Sequence, residues 1–185
     1  MLAKLLSLAA PAHGPPVGQR EIARLFNEHG PMVYGRARRL LGSHEDAEEA
    51  TQEIFIRVMA GSEARPPAGE AVPWLCRITT NYCLNKLRDG GRRRALFDTR
   101  VGPALSGSSS STSGPDELAQ ARELLAAADR RQAQAAVYVH IDGMSHDEAA
   151  EMLGVSRRTV GNLLERFAAW AREQTSLSAC PASGA

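Results

Sequence analysis

At 185 residues with a formal net charge of +1, the chain has room for one medium domain or two small ones. Aromatic residues make up 5% and no run alternates Val, Ile, Thr and Tyr, which excludes a sheet-built core; Ala, Leu, Arg and Glu dominate, as in packed helices. No stretch approaches the ~18 apolar residues of a membrane span. The N-terminal MLAKLLSLAAPA imitates a signal peptide, but its apolar core falls short of the ~7–15 residues of a working one. Residues 1–19 are therefore expected to be a disordered extension, and the chain is expected in the cytoplasm.

Residues 20–97 read as a first helical domain. Ile22, Leu25, Phe26, His29, Val33 and Ala37 recur at helical spacing and run on to Leu40 and Leu41. Pro31 inside that pattern predicts a kink or a fresh start. Gly42 stops the helix, and Ser43 is placed to cap the next one, with Glu45 and Asp46 in its first turn. That second helix turns Ala47, Ala50, Ile54 and Val58 inward, with Thr51 and Phe55 beside them. Gly61 to Gly69, with Pro66 and Pro67, reads as a loop. Pro73 suits the first position of a third helix that sends Trp74, Leu75, Ile78, Tyr82 and Leu87 to a core.

Charge is unevenly spread. Between Ser43 and Glu53 lie five acids and no base, whereas Trp74 to Arg94 holds six bases (Arg77, Lys86, Arg88, Arg92, Arg93, Arg94) against Asp89. Such a distribution counts for more than the net value when a nucleic-acid partner is considered, although two solvated helix faces would look the same. Cys76 and Cys83 share a helical face as small apolar residues, and with Cys180 they make an odd number without metal-ligand spacing.

Residues 98–114 contain VGPALSGSSSSTSG, a Ser- and Gly-rich stretch expected to act as a flexible linker. A second helical domain is expected over 115–175, with a disordered tail over 176–185. One helix covers about Asp116–Ala128, burying Leu118, Leu124 and Leu125, and another about Arg130–Ile141. Ser145-His146-Asp147-Glu148 is a capping box. The short helix it opens ends at Gly154, where a left-handed turn is cheapest. Val155 is an apolar plug, and Ser156 caps a last helix with Val160, Leu164 and Phe167 on one face. The register of Ala150, Gly154 and Val160 is that of a helix-turn-helix. Arg157 and Arg158 then stand where bases and phosphates lie, with Thr159 and Asn162 beside them.

With both domains in view, the chain resembles an extracytoplasmic-function (ECF) sigma factor of the sigma-70 family. VYGRARRLLGSHEDAEEATQEIFIRVM and WLCRITTNYCLNKLRDGGRRR are similar to that family's second region, and GMSHDEAAEMLGVSRRTV to its fourth. The resemblance implies an all-α protein of two small helical domains that joins core RNA polymerase, recognises promoter −35 and −10 elements and helps melt DNA. It implies that Asp46, Glu49, Gln52, Glu53 and Phe55 dock on the clamp coiled coil of the largest subunit, with the flap as a second polymerase contact. Trp74, Arg77, Asn81, Lys86, Arg88, Arg92 and Arg93 are implied at the −10 element and in melting, Asn81 near a flipped base. Ser156, Arg157, Arg158, Thr159 and Asn162 are implied at the −35 element. An anti-sigma partner is a further implication. No cofactor or metal is expected.

One departure stands out. The middle of the recognition helix carries Gly161, Asn162 and Leu163 where the family commonly has basic residues, and Gly161 costs that helix about 1 kcal/mol relative to Ala. Two rival readings remain. A conventional regulator would use the helix-turn-helix without polymerase, leaving the acidic helix unexplained. An enzyme would need His44, His140 or His146 in a constellation. Yet adjacent helical residues such as His146, Asp147 and Glu148 point about 100° apart and do not converge, and no phosphate loop or nucleophile motif is present.

Overall fold

The computed structural model describes residues 19–61, 69–101 and 115–178, all helices and short turns. The expected extension, most of the Gly61–Gly69 loop, the Ser-rich linker and Cys180 lie outside the described residues, as do the side chains of Arg94 and its successors to 101. Contacts divide the chain into two units, 1–83 and 84–185, with the division inside a helix.

In the first unit, α1 (Gln19–Leu41) is one continuous helix with Pro31 inside it, so the chain makes no fresh start there. Gly42 takes a φ of 81° at its end, and the Arg38 guanidinium donates to the Gly42 carbonyl. The Ser43 hydroxyl then accepts from the Asp46 amide at 3.3 Å and starts α2 (His44–Met59). Helix α3 (Ala71–Val101) begins two residues before Pro73. The proline falls in its first turn, where its missing N–H would have had no helical partner.

These three helices bury Val33, Ile54, Phe55, Val58, Trp74, Leu75 and Ile78 against one another. Full burial of each such side chain contributes about 1.5–3 kcal/mol. Phe26, one of the residues at helical spacing in α1, is 46% exposed but sets its ring edge-on to Phe55 at 5.0 Å. A buried charge sits beside this core. Arg36, 4% exposed, donates from Nε at 3.1 Å and from Nη2 at 2.7 Å to the Thr80 hydroxyl. Thr80 in turn donates to the Cys76 carbonyl at 2.8 Å, and Thr51 and Thr79 make the same backward bond at 2.7 Å. Buried hydroxyls are thereby satisfied within their own helices.

The second unit takes in the later part of α3, then α4 (Pro115–Ala127), α5 (Arg130–Ala136), α6 (His146–Leu153) and α7 (Arg157–Ser178). Asp129 caps α5 by accepting from the Arg131 and Gln132 amides. Helix α5 was expected to run on regularly to Ile141; instead Val137–Ile141 widens into a π turn, with the Asp142 amide reaching back to the Val137 carbonyl at 3.0 Å. Four consecutive residues, Ala135 to Tyr138, are buried there, which no single helical stripe achieves. Tyr138, Ala149, Ala150 and Val160 form the centre, with Met144, Leu153, Val155 and Leu164 packed against it. In α4 Leu125 is buried as expected, but Leu118 is 56% exposed, a correction to its expected burial.

Candidate nucleic-acid interface

The helix-turn-helix is built by its caps. Ser145 opens α6 with both halves of the capping box. Its amide donates to Glu148 Oε2 at 2.8 Å, and its hydroxyl accepts from the Glu148 amide at 3.3 Å. The Ser145 amide bond, and a second in which the Ser145 hydroxyl lies 2.8 Å from Glu148 Oε2 as a donor, favour the charged carboxylate and hold the Glu148 pKa below its ordinary value. At the other end Gly154 adopts φ 63° and ψ 40°, and the Val155 amide reaches the Ala150 carbonyl at 3.0 Å. That left-handed closure redirects the chain within two residues. Ser156 caps α7 by accepting from the Thr159 amide at 3.2 Å, and the two hydroxyls lie 2.8 Å apart. Ala149 and Val160, both fully buried, lock the two helices together.

This frame leaves Arg157, Arg158 and Asn162 exposed on the first turns of α7. Ser156 and Thr159, expected as DNA contacts, spend their hydroxyls on the cap and on each other. The exposed Arg157 guanidinium lies 3.8 Å from the equally exposed Asp147 carboxylate, a partner the sequence reading did not assign. An open groove runs over this surface, lined by His146, Arg157, Arg158, Gly161, Asn162 and Glu165. The signal for it was present: Arg158, Gly161, Asn162 and Glu165 fall at i, i+3, i+4 and i+7.

The expected −10 residues divide. In the first unit Arg77 is exposed and Asn81, one helical turn on, is half-buried. Trp74 is withdrawn into the core, 6% exposed, in one cluster with Val33, Ile54, Phe55 and Val58. In the second unit Lys86 is half-buried, whereas Arg92 and Arg93 are exposed, Arg92 lying 4.0 Å from Asp89. Arg88 is drawn inward and donates to the Ala128 carbonyl at 2.9 Å, beyond the C-terminal end of α4, where a cation is favoured.

Of the residues expected to dock on polymerase, Glu49 and Gln52 are exposed and Asp46 and Glu53 half-buried on α2. Phe55 is 4% exposed and belongs to the core, so it seats the helix and offers no docking surface. Glu53 pairs with Arg57 at 3.0 Å, and Arg57 lies over the Tyr82 ring at 4.9 Å. Beside this face the Tyr34 hydroxyl meets His44 Nδ1 at 3.1 Å, and His44 stands 3.7 Å from Glu48. Cys76 and Cys83 are buried thiols that are not joined to each other in a disulfide. Among the described residues no group of three or more His, Cys, Asp and Glu side chains is placed to hold a metal ion. Among them, too, no helix is long and apolar enough to cross a membrane.

Fold and site together define an all-α protein of two units, with a helix-turn-helix in the second. Residues 25–93 match the sigma-70 region 2 family and residues 118–166 match sigma-70 region 4. The chain is 37% identical over 149 residues to the ECF RNA polymerase sigma factor SigE of Mycolicibacterium smegmatis, covering 77% of this chain and 56% of that protein. It is 28% identical over 151 residues to the ECF sigma factor SigL of Mycobacterium tuberculosis, covering 76% of this chain and 80% of that one. Among solved structures it is similar in fold to CnrH, described in complex with the cytosolic domain of CnrY. The TM-score there is 0.50 at 22% identity, covering 86% of this chain and 90% of CnrH. The chain belongs to the sigma-70 family of RNA polymerase sigma factors and, within it, to the ECF type.

Proposed function

We propose that this chain binds core RNA polymerase and directs it to promoters through its two units, acting in the cytoplasm. The observation that carries the reading is the α6–α7 pair. Its doubly capped turn presents Arg157, Arg158 and Asn162 on an open helical face, in a chain whose other unit matches region 2. A helix held in this way enters a major groove with its N-terminal residues at the base edges. The second unit would thus take the −35 element.

The first unit would take the polymerase. Asp46, Glu49 and Gln52 stand on the outer side of α2, with Glu53 available once its bond to Arg57 is exchanged for a polymerase cation. Arg77 and Asn81, with Lys86, Arg92 and Arg93 further along α3, would hold a separated −10 strand, cations for the phosphates and an amide for a displaced base. Trp74 and Phe55 serve this reading from inside, as the packing that fixes the helices. Arg88 would join the strand-holding set only by leaving Ala128. An anti-sigma partner belongs to the same reading, supported by the fold shared with CnrH, which is described bound to a CnrY domain.

The test is gel filtration of the purified chain with bacterial core polymerase, followed by initiation assays on a promoter pool. A stable complex that initiates is the expected result. DNA binding without a polymerase complex would overturn it and leave a conventional regulator. Replacing Glu49 and Glu53 by Lys should weaken complex formation, while Arg157→Ala should weaken promoter binding by about 1–3 kcal/mol if the guanidinium reads a base. Asn81→Ala should slow promoter opening and leave polymerase affinity unchanged.

A further inference from the structure

The groove over α7 is mixed in sign, and a glycine, Gly161, is part of its lining. Arg157 and Arg158 stand at its N-terminal end, Asn162 beside them, and Glu165 one turn further along the same face. The Asp147 carboxylate 3.8 Å from Arg157 adds a second acid at the rim. A surface made only to hold phosphates gains nothing from two carboxylates, which repel them. An array of donors followed by an acceptor suits base edges instead. Arginine pairs with guanine O6 and N7, and a carboxylate accepts from the exocyclic amino group of cytosine or adenine.

Gly161 has no role that the fold explains. It lies inside α7 with no left-handed φ to require a glycine, and a Cβ built on it meets nothing within 4 Å. Alanine would fit the free protein and favour the helix. A side-chain gap in the middle of a recognition surface, between two arginines and a glutamate, is what a group approaching from outside the chain would need.

We propose that Gly161 and Glu165 are specificity-determining residues of the DNA interface. Gly161 lets a base edge reach the α7 backbone, and Glu165 accepts a hydrogen bond from an exocyclic amino group one step along the major groove. This rests on the reading of α7 as a promoter-binding helix.

The experiment takes the full chain assembled with core polymerase and selects bound duplexes from a randomised promoter pool. Affinities for the selected duplex and for a scrambled duplex of equal length are then measured for wild type, Gly161→Ala and Glu165→Ala. Gly161→Ala should raise the melting temperature yet weaken binding to the selected duplex by about 5-fold or more, with the scrambled duplex unaffected. Glu165→Ala should lose the preference for an amino-bearing base at one position, by about 10-fold. The base lost, cytosine or adenine, identifies the donor. Unchanged affinity in Gly161→Ala together with an unchanged selected sequence in Glu165→Ala would overturn the proposal while leaving the sigma reading intact. Failure of the wild type itself to select any sequence would overturn both.

Discussion

The two units solve the same packing problem with different materials. The first is held by large side chains: Trp74, Phe55, Ile54, Leu75 and Ile78 fill the space between α1, α2 and α3. The second has many alanines among its buried residues, Ala133, Ala135, Ala136, Ala149 and Ala150, with Tyr138 as its largest fully buried side chain among the described residues. It depends on close approach and on well-made helix ends. On the reading proposed above, a unit that offers Arg77 and Asn81 to a separated strand gains from deep apolar anchoring. On the same reading, a unit that presents the first turns of α7 to a groove gains from a turn whose geometry cannot drift.

Exchanging the materials is the way to break this comparison. Trp74→Ala removes the indole from a nearly closed site and should cost about 3–5 kcal/mol. Hydrogen exchange should show protection lost first across α1 and α2, while the amides of α6 and α7 keep theirs. Simultaneous loss across both sets would mean that the units are not separately stabilised. The converse substitution is Ala149→Leu. Ala149 is fully buried against Val160, and overpacking there should cost about 1–3 kcal/mol. Because it displaces α6 from α7, promoter binding should fall while polymerase affinity holds.

A smaller effect tests the polar part of the first core. In Thr80→Val the shape is kept but Arg36 loses an acceptor it reaches through two nitrogens. A buried donor deprived of a partner costs about 1–3 kcal/mol, and chemical denaturation should place this variant above a surface Thr→Val and below Trp74→Ala. A neutral result would mean that the remaining interactions of Arg36 carry it.

These residues also show what was legible beforehand. The capping box, the Gly154 turn and Ser156 were readable because each rests on a local bond spanning three to five residues. The inward faces of α2 and early α3 were readable because Ile54, Val58, Leu75 and Ile78 keep helical period. What depends on another helix was not. The Arg36–Thr80 bond spans 44 positions, and the Arg88 bond to Ala128 spans 40. The widened turn after Ala136 is a tertiary response to burial on several sides, invisible to a 3.6-residue pattern. Trp74 and Phe55 were assigned both to the core and to a contact surface, and only the packing separates those uses.

The smallest expected effect concerns the capping box, and it has a sign that pH can test. Ser145→Ala removes the hydroxyl that accepts from Glu148 and should cost about 1 kcal/mol. Glu148 titrates, and in the folded chain its bonds from Ser145 lower its pKa. A carboxylate whose folded pKa is depressed binds its proton more weakly folded than unfolded. Its contribution is therefore complete above the ordinary carboxylate range and is lost as pH falls through the lowered folded value. Glu148→Gln lacks this titration but keeps an oxygen that can accept from the Ser145 amide. The stability gap between wild type and Glu148→Gln should be largest near neutral pH and shrink steadily on acidification below the ordinary carboxylate range. The Ser145→Ala variant, having lost one of the two bonds that lower the pKa, should show a weaker pH dependence than wild type. A gap that widened in acid would mean that the charged form is not what the cap favours, and the opening of α6 would then rest on the Ser145 hydroxyl alone.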